Sequence, residues 1–105
     1  MIEILQNKEN LDKIEFFARD GGESLGRIAG FLDGETFVVD ELECEEFFTD
    51  GLVRAILNLM TLHGIDRARF DLPDMSERLK KLGFIGEKPV MESIAAFFDK
   101  GRCGK

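Results

Sequence analysis

Residues 47–84 read FFTDGLVRAILNLMTLHGIDRARFDLPDMSERLKKLGF and begin with the longest helical pattern in the chain. Apolar residues recur at steps of three and four, which predicts an amphipathic helix over residues 47–62. Gly64 follows at once, and glycine adopts the left-handed conformation that commonly ends helices. This helix is long enough to cover one face of a sheet, so the strands around it are expected to pack against its apolar stripe.

A short strand and a second helix are predicted directly after the long helix. Apolar and charged residues alternate over residues 67–72, which is the period of a strand with one apolar face. Pro73 ends that strand because proline has no backbone N–H to donate. A short helix is then predicted at about residues 74–82, closed by Gly83. The order is therefore helix, strand and short helix.

The first 42 residues predict a sheet made by an antiparallel meander. Turn signals at Asp20-Gly21-Gly22 and Asp33-Gly34 separate three β-rich segments. The predicted strands are residues 1–5 at the edge, then 13–19, 25–32 and 36–42. Residues 90–98 fit a last strand or a helix, since so short an apolar segment fits both periods. We predict an α+β fold with a mixed, mostly antiparallel sheet, one long central helix and a short C-terminal helix.

Composition narrows the possible partners and compartment. The chain has 105 residues and a formal charge of −7, which disfavours nucleic acid and anionic membranes as partners. No apolar segment is long enough to span a bilayer, and no signal peptide is evident, so a cytoplasmic location is expected. Cys44, Cys103 and the single His63 match no metal-ligand spacing, and no metal is expected. Residues 1–98 are predicted to form one domain and residues 99–105 a flexible tail.

The order of elements, together with two short motifs, resembles the second half of the GNAT (acyl-CoA N-acyltransferase) superfamily. Residues 81–84, KLGF, match the end of that family's short helix, and residues 51–57, GLVRAIL, resemble its G-I-G-R-A-L-L segment. The likeness covers residues 14–98. It implies a truncated GNAT-like domain whose two parallel strands diverge, and in that family the resulting cleft holds the pantetheine arm of acetyl-CoA or another acyl-CoA.

The resemblance also implies a cofactor loop before the long helix, with the pattern Gln/Arg-x-x-Gly-x-Gly/Ala. Its positions fall on Phe48, Gly51 and Val53, with Arg54 as the only nearby cation, so only Gly51 matches the family. Main-chain N–H groups of such a loop bind pyrophosphate. Here nearby acidic residues repel phosphate, and we expect weak coenzyme A binding. These residues are Glu43, Glu45, Glu46 and Asp50.

For catalysis, the resemblance places a general base near the end of the strand before the long helix, at Glu41 or Glu43. Both also fit a charged, solvated strand end. The position of the family's tyrosine acid falls on Leu79, which cannot donate a proton. The resemblance therefore implies an N-acetyltransferase of doubtful catalytic competence. Its acceptor would be an amine of unknown identity, on a small molecule or a protein.

Adjacent phenylalanines suggest a second use of the fold. On a strand, neighbouring side chains point to opposite faces, so one of Phe16 and Phe17, and one of Phe97 and Phe98, should face away from the core. Compared with the GNAT pattern, the N-terminal region is reduced to about residues 1–12, and the resemblance implies that its loss leaves a sheet face bare. We therefore expect a homodimer. The alternatives are a non-catalytic homodimeric interaction or ligand-binding module on the same fold, and an unrelated small α+β binding domain.

Overall fold

The computed structural model describes the backbone of residues 1–103 and the side chains of residues 1–99. Its strands are β1 (Ile2–Gln6), β2 (Ile14–Asp20), β3 (Glu23–Asp33), β4 (Thr36–Cys44), β5 (Arg67–Phe70) and β6 (Val90–Met91). Its helices are α1 (Glu46–Leu62), α2 (Ser76–Lys81) and α3 (Ile94–Cys103), and a 3₁₀ turn, Pro73–Met75, precedes α2. The predicted meander, long helix, strand and short helix are confirmed.

The six strands form one sheet in the order β1-β2-β3-β4-β5-β6. Neighbouring strands are antiparallel except β4 and β5, which run parallel because α1 carries the chain back to the starting edge. The β2–β3 turn uses Gly21 and the β3–β4 turn uses Gly34, each with a positive φ angle. The predicted fold class, α+β with a mixed and mostly antiparallel sheet, is confirmed.

A β-bulge interrupts the pairing of β3 with β4. Ala29 is paired with Glu41, but Gly30 is paired with Val39, so Asp40 is an extra residue on β4. Val39 and Leu42 consequently lie on the same face, although they are three residues apart. The bulge brings Asp40 to the point where β4 leaves its neighbour β5.

One face of the sheet packs against α1, and the main core lies between them. The largest buried side chains of this core include Phe37, Phe70, Phe84, Ile28, Leu52, Ile56, Leu57 and Met60. Leu62, the last residue of the predicted amphipathic helix, is 75% exposed because the buried stripe of α1 ends at Met60. The packing of α1 on four strands fixes the position of its N-terminus beside the end of β4.

Helix α3 settles the alternative that the sequence left open for residues 90–98. Only Val90–Met91 is strand, and the helix begins at Ile94. Asp66 accepts hydrogen bonds from the Ala95 N–H and the Ser93 hydroxyl, both at 2.8 Å, and these contacts hold the first turn of α3. Because the segment is helical, Phe97 and Phe98 both pack on the core, and the expectation that one of them faces away is wrong.

The backbone of residues 99–103 continues α3 into the segment predicted as a tail. The side chain of Cys103 and the whole of Gly104 and Lys105 lie outside the described residues. A flexible tail and a domain boundary at residue 98 therefore stay predictions.

The second sheet face carries no helix within the described residues. Phe16 packs on the main core, while its neighbour Phe17 points to this second face, as the alternation predicts. Ala29 and Val38 are fully buried without joining the main core, which places them on the second face too. Ala29 is paired with Glu15 of β2 and with Glu41 of β4, so charged residues flank it on this face.

The described residues lack two kinds of feature. In that part of the chain, no helix has the length and apolar character needed to cross a membrane. The described side chains also contain no group of three or more histidine, cysteine, aspartate or glutamate residues placed to hold a metal ion.

Candidate functional site

A cleft opens where the parallel strands β4 and β5 separate. Their last paired residues are Val39 and Phe70, and the Asp71 N–H still donates to the Val39 carbonyl at 2.8 Å. Beyond this bond β5 turns away through Leu72 and Pro73, whereas β4 continues to Cys44. No described strand pairs with the β5-facing edge of residues 40–44. The sheet thus has an open slot beside the N-terminus of α1.

The slot is a depression of about 280 Å³ with an apolar floor and an acidic rim. Leu42, Leu72, Pro73 and Met75 supply its apolar lining, and Asp40, Glu43, Asp71 and Asp74 supply its carboxylates. Arg69 neutralises Asp71 through a 3.1 Å ion pair. Asp40 is paired with Lys13 and Glu43 lies 3.7 Å from Arg27, whereas Asp74 has no ion-pair partner among the described residues. The exposed Glu43 and Asp74 leave a negative potential at the mouth, which favours a cationic ligand over an anionic one.

Lys13, in the loop between β1 and β2, binds the carboxylates at the bulge. Its Nζ lies 2.8 Å from the Asp40 carboxylate and also contacts Glu41. The second Asp40 oxygen, Oδ1, is buried and has no hydrogen-bond partner among the described residues. Hydrogen bonds to Asp40 and then Glu41 raise the pKa of Lys13, so its side chain stays an ammonium ion.

Glu41, one of the two predicted catalytic residues, is held by two cations. The Lys13 hydrogen bond, followed by that of Arg27 at 2.6 Å, lowers the pKa of the Glu41 carboxyl. A general base works best with a pKa near the working pH, so this arrangement is opposite to what the predicted role needs. Glu43, the other candidate, has a side chain 75% exposed at the cleft mouth and lies 3.7 Å from Arg27.

Arg78 of helix α2 bridges the end of β4 and the first turn of α1. Its Nη1 donates to the Cys44 carbonyl at 2.9 Å and to the Thr49 hydroxyl at 3.1 Å. Thr49 is fully buried. Arg54 was predicted to be the only cation near this loop, and that is wrong, because Arg78 lies at the loop and Lys81 approaches Glu46 at 3.4 Å.

The residues predicted to bind the cofactor lie inside helix α1, which already begins at Glu46. The N–H groups of Gly51, Val53 and Arg54 lie past the first turn, where the helix itself uses them. The Phe48 N–H lies in the first turn and donates to the Glu45 carbonyl at 3.0 Å. Phe48 packs on the core and Val53 is fully buried. A methyl group on Gly51 would come within 2.9 Å of Ile4, so this glycine lets α1 approach β1.

Arg54, the fourth predicted cofactor residue, points along the helix surface. It forms a 3.0 Å ion pair with Asp50 and lies 5.1 Å over the ring of Phe97. All four residues thus make contacts within the protein, and their role toward a cofactor stays a prediction. The N–H groups of Glu46 and Phe47, at the helix start, have no acceptor within the helix.

Three further positions were singled out in the sequence. Leu79 is buried in the core, so the position of the family's tyrosine acid faces inward here. Cys44 is a free, half-buried thiol whose Sγ lies 3.6 Å from the Thr49 hydroxyl. His63 ends α1 through its backbone, which donates to the carbonyls of Leu59 and Met60.

Sequence reasoning missed Asp40, Lys13 and Arg78. A readable signal existed for Asp40, because Phe37 and Val39 alternate normally whereas the next core residue, Leu42, comes after a step of three. No local pattern reveals Lys13 or Arg78, whose partners lie 27 to 34 residues away along the chain. Only the folded sheet brings these charges to the slot.

Comparisons with known proteins bear on the fold. No family model matches the chain, and no curated protein matches it in sequence. Among solved structures, it is similar to an IAA acetyltransferase from Bacillus cereus, with a TM-score of 0.62 and 12% identity. The similarity covers 79% of this chain and 76% of that one. The parallel β4–β5 pair, the slot beyond it and this match together show that the chain has a GNAT-like fold.

Proposed function

We propose that this protein is an acyl-CoA-dependent N-acyltransferase that uses the slot between β4 and β5. The observation that carries the proposal is the separation of the two strands after Val39, which leaves the edge of residues 40–44 without a partner strand. An extended ligand with amide groups can pair with such an edge as an added strand does. The pantetheine arm of an acyl-CoA has that shape and chemistry.

The apolar floor and the bulge suggest how the reacting group would lie. Leu42, Leu72 and Met75 would contact the thioester arm, and the acyl carbonyl would lie near Asp40, at the narrow end of the slot. The acidic rim would attract the acceptor as a protonated amine. An aliphatic amine, which is protonated at neutral pH, is therefore the acceptor class that fits these charges.

Glu43 is the better proton acceptor of the two predicted carboxylates, because Glu41 is already bound to Lys13 and Arg27. In the proposed reaction the deprotonated amine nitrogen attacks the thioester carbon, the C–S bond breaks, and coenzyme A leaves as a thiolate. Leu79 supplies no proton, but a thiol with a pKa of about 8.5 is an adequate leaving group without one.

Cations beside the helix start offset part of the acidic character of the cofactor loop. Lys81 pairs with Glu46, and Arg78 places its guanidinium at the end of β4. The carboxylates of Glu43 and Glu45 still oppose the pyrophosphate. We therefore expect a coenzyme A affinity in the range of tens to hundreds of micromolar, about 5–6 kcal/mol of binding free energy.

Calorimetric titration with acetyl-CoA tests the proposal. The Met75→Trp variant fills the slot, and we expect it to lose binding. Leu62→Trp is the matched control, because Leu62 is 75% exposed at the far end of α1 and its replacement should leave the affinity unchanged. Thermal melting confirms that both variants are folded. Equal loss in both variants, or no saturable binding by the wild type, would refute the proposal.

A second candidate is a non-catalytic homodimeric module on the same fold. Two observations favour it: the engagement of Glu41 in ion pairs, and the second sheet face with half-buried Phe17 and Phe31. A second copy would cover that face, and its mixed charges allow pairing about a two-fold axis. The oligomeric state, treated below, separates this candidate from a monomeric enzyme.

A further inference from the structure

A depression of about 480 Å³ lies at the end of the sheet where β1 ends, β2 begins and β3 approaches its turn to β4. Its apolar lining comes from Leu11, Ile14, Phe31 and Leu32. Leu11 is 93% exposed and Leu32 is 50% exposed, so two of the six exposed large apolar side chains in the described structure meet here. Exposed apolar side chains grouped around a depression are typical of a contact surface, whereas scattered ones are not.

The loop that carries Leu11 holds this side chain outward. The side chains of Asn7 and Asn10 accept hydrogen bonds of 3.0 and 3.1 Å from backbone N–H groups within residues 9–13. Asn10 also donates to the Glu15 carboxylate at 2.8 Å, which ties the loop to β2. These side chain to backbone bonds fix the shape of the loop. Leu11 therefore lies in water beside the depression of its own chain.

We propose that a second copy of this chain fills the depression and that the two copies exchange Leu11, each inserting this side chain beside Phe31 and Leu32 of the other. The inserted side chain and the depression that receives it lie next to each other on one surface. A two-fold contact requires this arrangement, because the same patch serves both copies. The inference rests on the homodimeric candidate described above and names the contact that joins the copies.

The charges of the loop suit a copy of the same loop. Lys8, Glu9 and Asp12 are exposed, and none of them forms an ion pair within the described residues. About a two-fold axis, Lys8 of one copy meets Glu9 or Asp12 of the other. Exposed pairs of this kind contribute little to affinity but favour one orientation of the partner.

The overall charge of the chain opposes association. Each copy carries a formal charge of −7, so two copies repel one another at a distance. The attraction must therefore come from the apolar contact. Because salt screens the repulsion and leaves burial of apolar surface intact, the dimer should become tighter as the salt concentration rises.

The contact has to extend beyond the depression. A standard protein interface takes about 20–30 residues from each partner, whereas ten residues line the depression. Phe31 belongs both to this lining and to the second sheet face, where it is paired with Val38. Leu5 and Phe17, which are paired with each other, continue that face on β1 and β2. A second copy seated at Leu11 can therefore also cover the second sheet face.

Sedimentation of the full chain measures the dimer dissociation constant. We expect Leu11→Ala to raise this constant roughly ten- to a hundredfold, because the side chain is lost from both copies. Leu62→Ala is the matched control, since Leu62 is 75% exposed but lies on α1, and it should leave the constant unchanged. Both replaced side chains are exposed, and thermal melting confirms that both variants fold.

An isotope-filtered nuclear Overhauser experiment tests the contact itself. The sample is an equal mixture of ¹³C-labelled and unlabelled wild-type chains, so the filter passes only magnetisation that crosses between copies. We expect transfer from the Leu11 methyl protons of the labelled copy to the Phe31 ring protons of the unlabelled copy. The Leu62 methyl protons should show no such transfer.

The outcomes separate this inference from the proposals on which it depends. A weaker dimer in Leu11→Ala alone, together with transfer from Leu11 to Phe31 between copies, supports it. A dimer that Phe17→Glu dissociates but Leu11→Ala leaves unchanged overturns it, and the homodimeric candidate stands. A weaker dimer without transfer between copies also overturns it. A wild-type monomer at high concentration overturns both, while titration with acetyl-CoA decides the acyltransferase proposal separately.

Discussion

Arg78 and Cys44, which are 34 residues apart in the chain, meet at the end of the open slot, where the Arg78 guanidinium donates a 2.9 Å hydrogen bond to the Cys44 carbonyl. The same nitrogen also donates to the buried Thr49 hydroxyl. This contact ties α2, the end of β4 and the first turn of α1 together.

Arg78→Ala is expected to destabilise the protein by about 1–2 kcal/mol, because a charged donor to a main-chain carbonyl and a buried hydroxyl is lost. Chemical denaturation measures this change in the free energy of unfolding. Lys80→Ala, at an exposed position on the same helix, serves as the control and should change it by less than about 0.5 kcal/mol. Equal effects of the two variants would show that the bridge contributes nothing specific.

Gly30 of β3 is paired with β4 beside the bulge, where the two backbones lie close together. A Cβ atom there would lie 2.2 Å from the Val38 carbonyl oxygen and 2.8 Å from the Phe37 ring, so the backbone would have to move. Gly30→Ala is expected to cost about 1–3 kcal/mol of stability by thermal or chemical denaturation. Gly22→Ala, which meets nothing within 4 Å, is the matched control and should be near neutral. A neutral Gly30→Ala would contradict the bulge geometry.

Asp66 should make stability depend on pH through its contacts with the start of α3. Hydrogen bonds from the Ala95 N–H and the Ser93 hydroxyl lower the pKa of the Asp66 carboxyl. Because the pKa is lower in the folded than in the unfolded state, the Asp66 carboxylate stabilises the folded protein at pH values above its unfolded-state pKa. This contribution is lost as the pH falls below about 4. Melting temperatures between pH 7 and pH 3 should therefore fall further for wild type than for Asp66→Asn. Parallel curves for the two proteins would contradict this assignment.

The uncovered sheet face predicts a homodimer. Sedimentation at high protein concentration should give about twice the 11.9 kDa of one chain. Phe17→Glu, on that face, should yield a monomer, whereas Phe47→Glu should not, because Phe47 is 79% exposed on α1. A wild-type monomer at high concentration would rule out the homodimeric candidate.

The sequence predicts those parts of the fold that arise from local periodicity. Alternation, glycine turns and the apolar period of α1 give the meander, the long helix and the following strand to within two residues. Residues 90–98 stay ambiguous because the segment is short and its apolar residues fit both the strand period and the helix period. Its helical outcome depends on Asp66, which holds the first turn from outside the segment.

The candidate site is harder to predict from the sequence, because only the folded sheet brings its charged side chains together. Glu41 can be placed at a strand end from its position, but its engagement by Lys13 and Arg27 requires the register of β2, β3 and β4. Motif alignment also places the cofactor loop at Phe48 to Arg54, whereas α1 begins at Glu46. The N–H groups that have no acceptor within the helix therefore lie closer to the end of β4 than the motif predicts.

Amide chemical-shift mapping of an acetyl-CoA titration tests the central claim most directly, because it reports both binding and its location. The account predicts saturable changes concentrated on the slot, at residues 40–44 and 71–75, with few changes on the second sheet face. Changes centred elsewhere, or none at millimolar acetyl-CoA, would contradict the assignment of the β4–β5 slot as an acyl-CoA site.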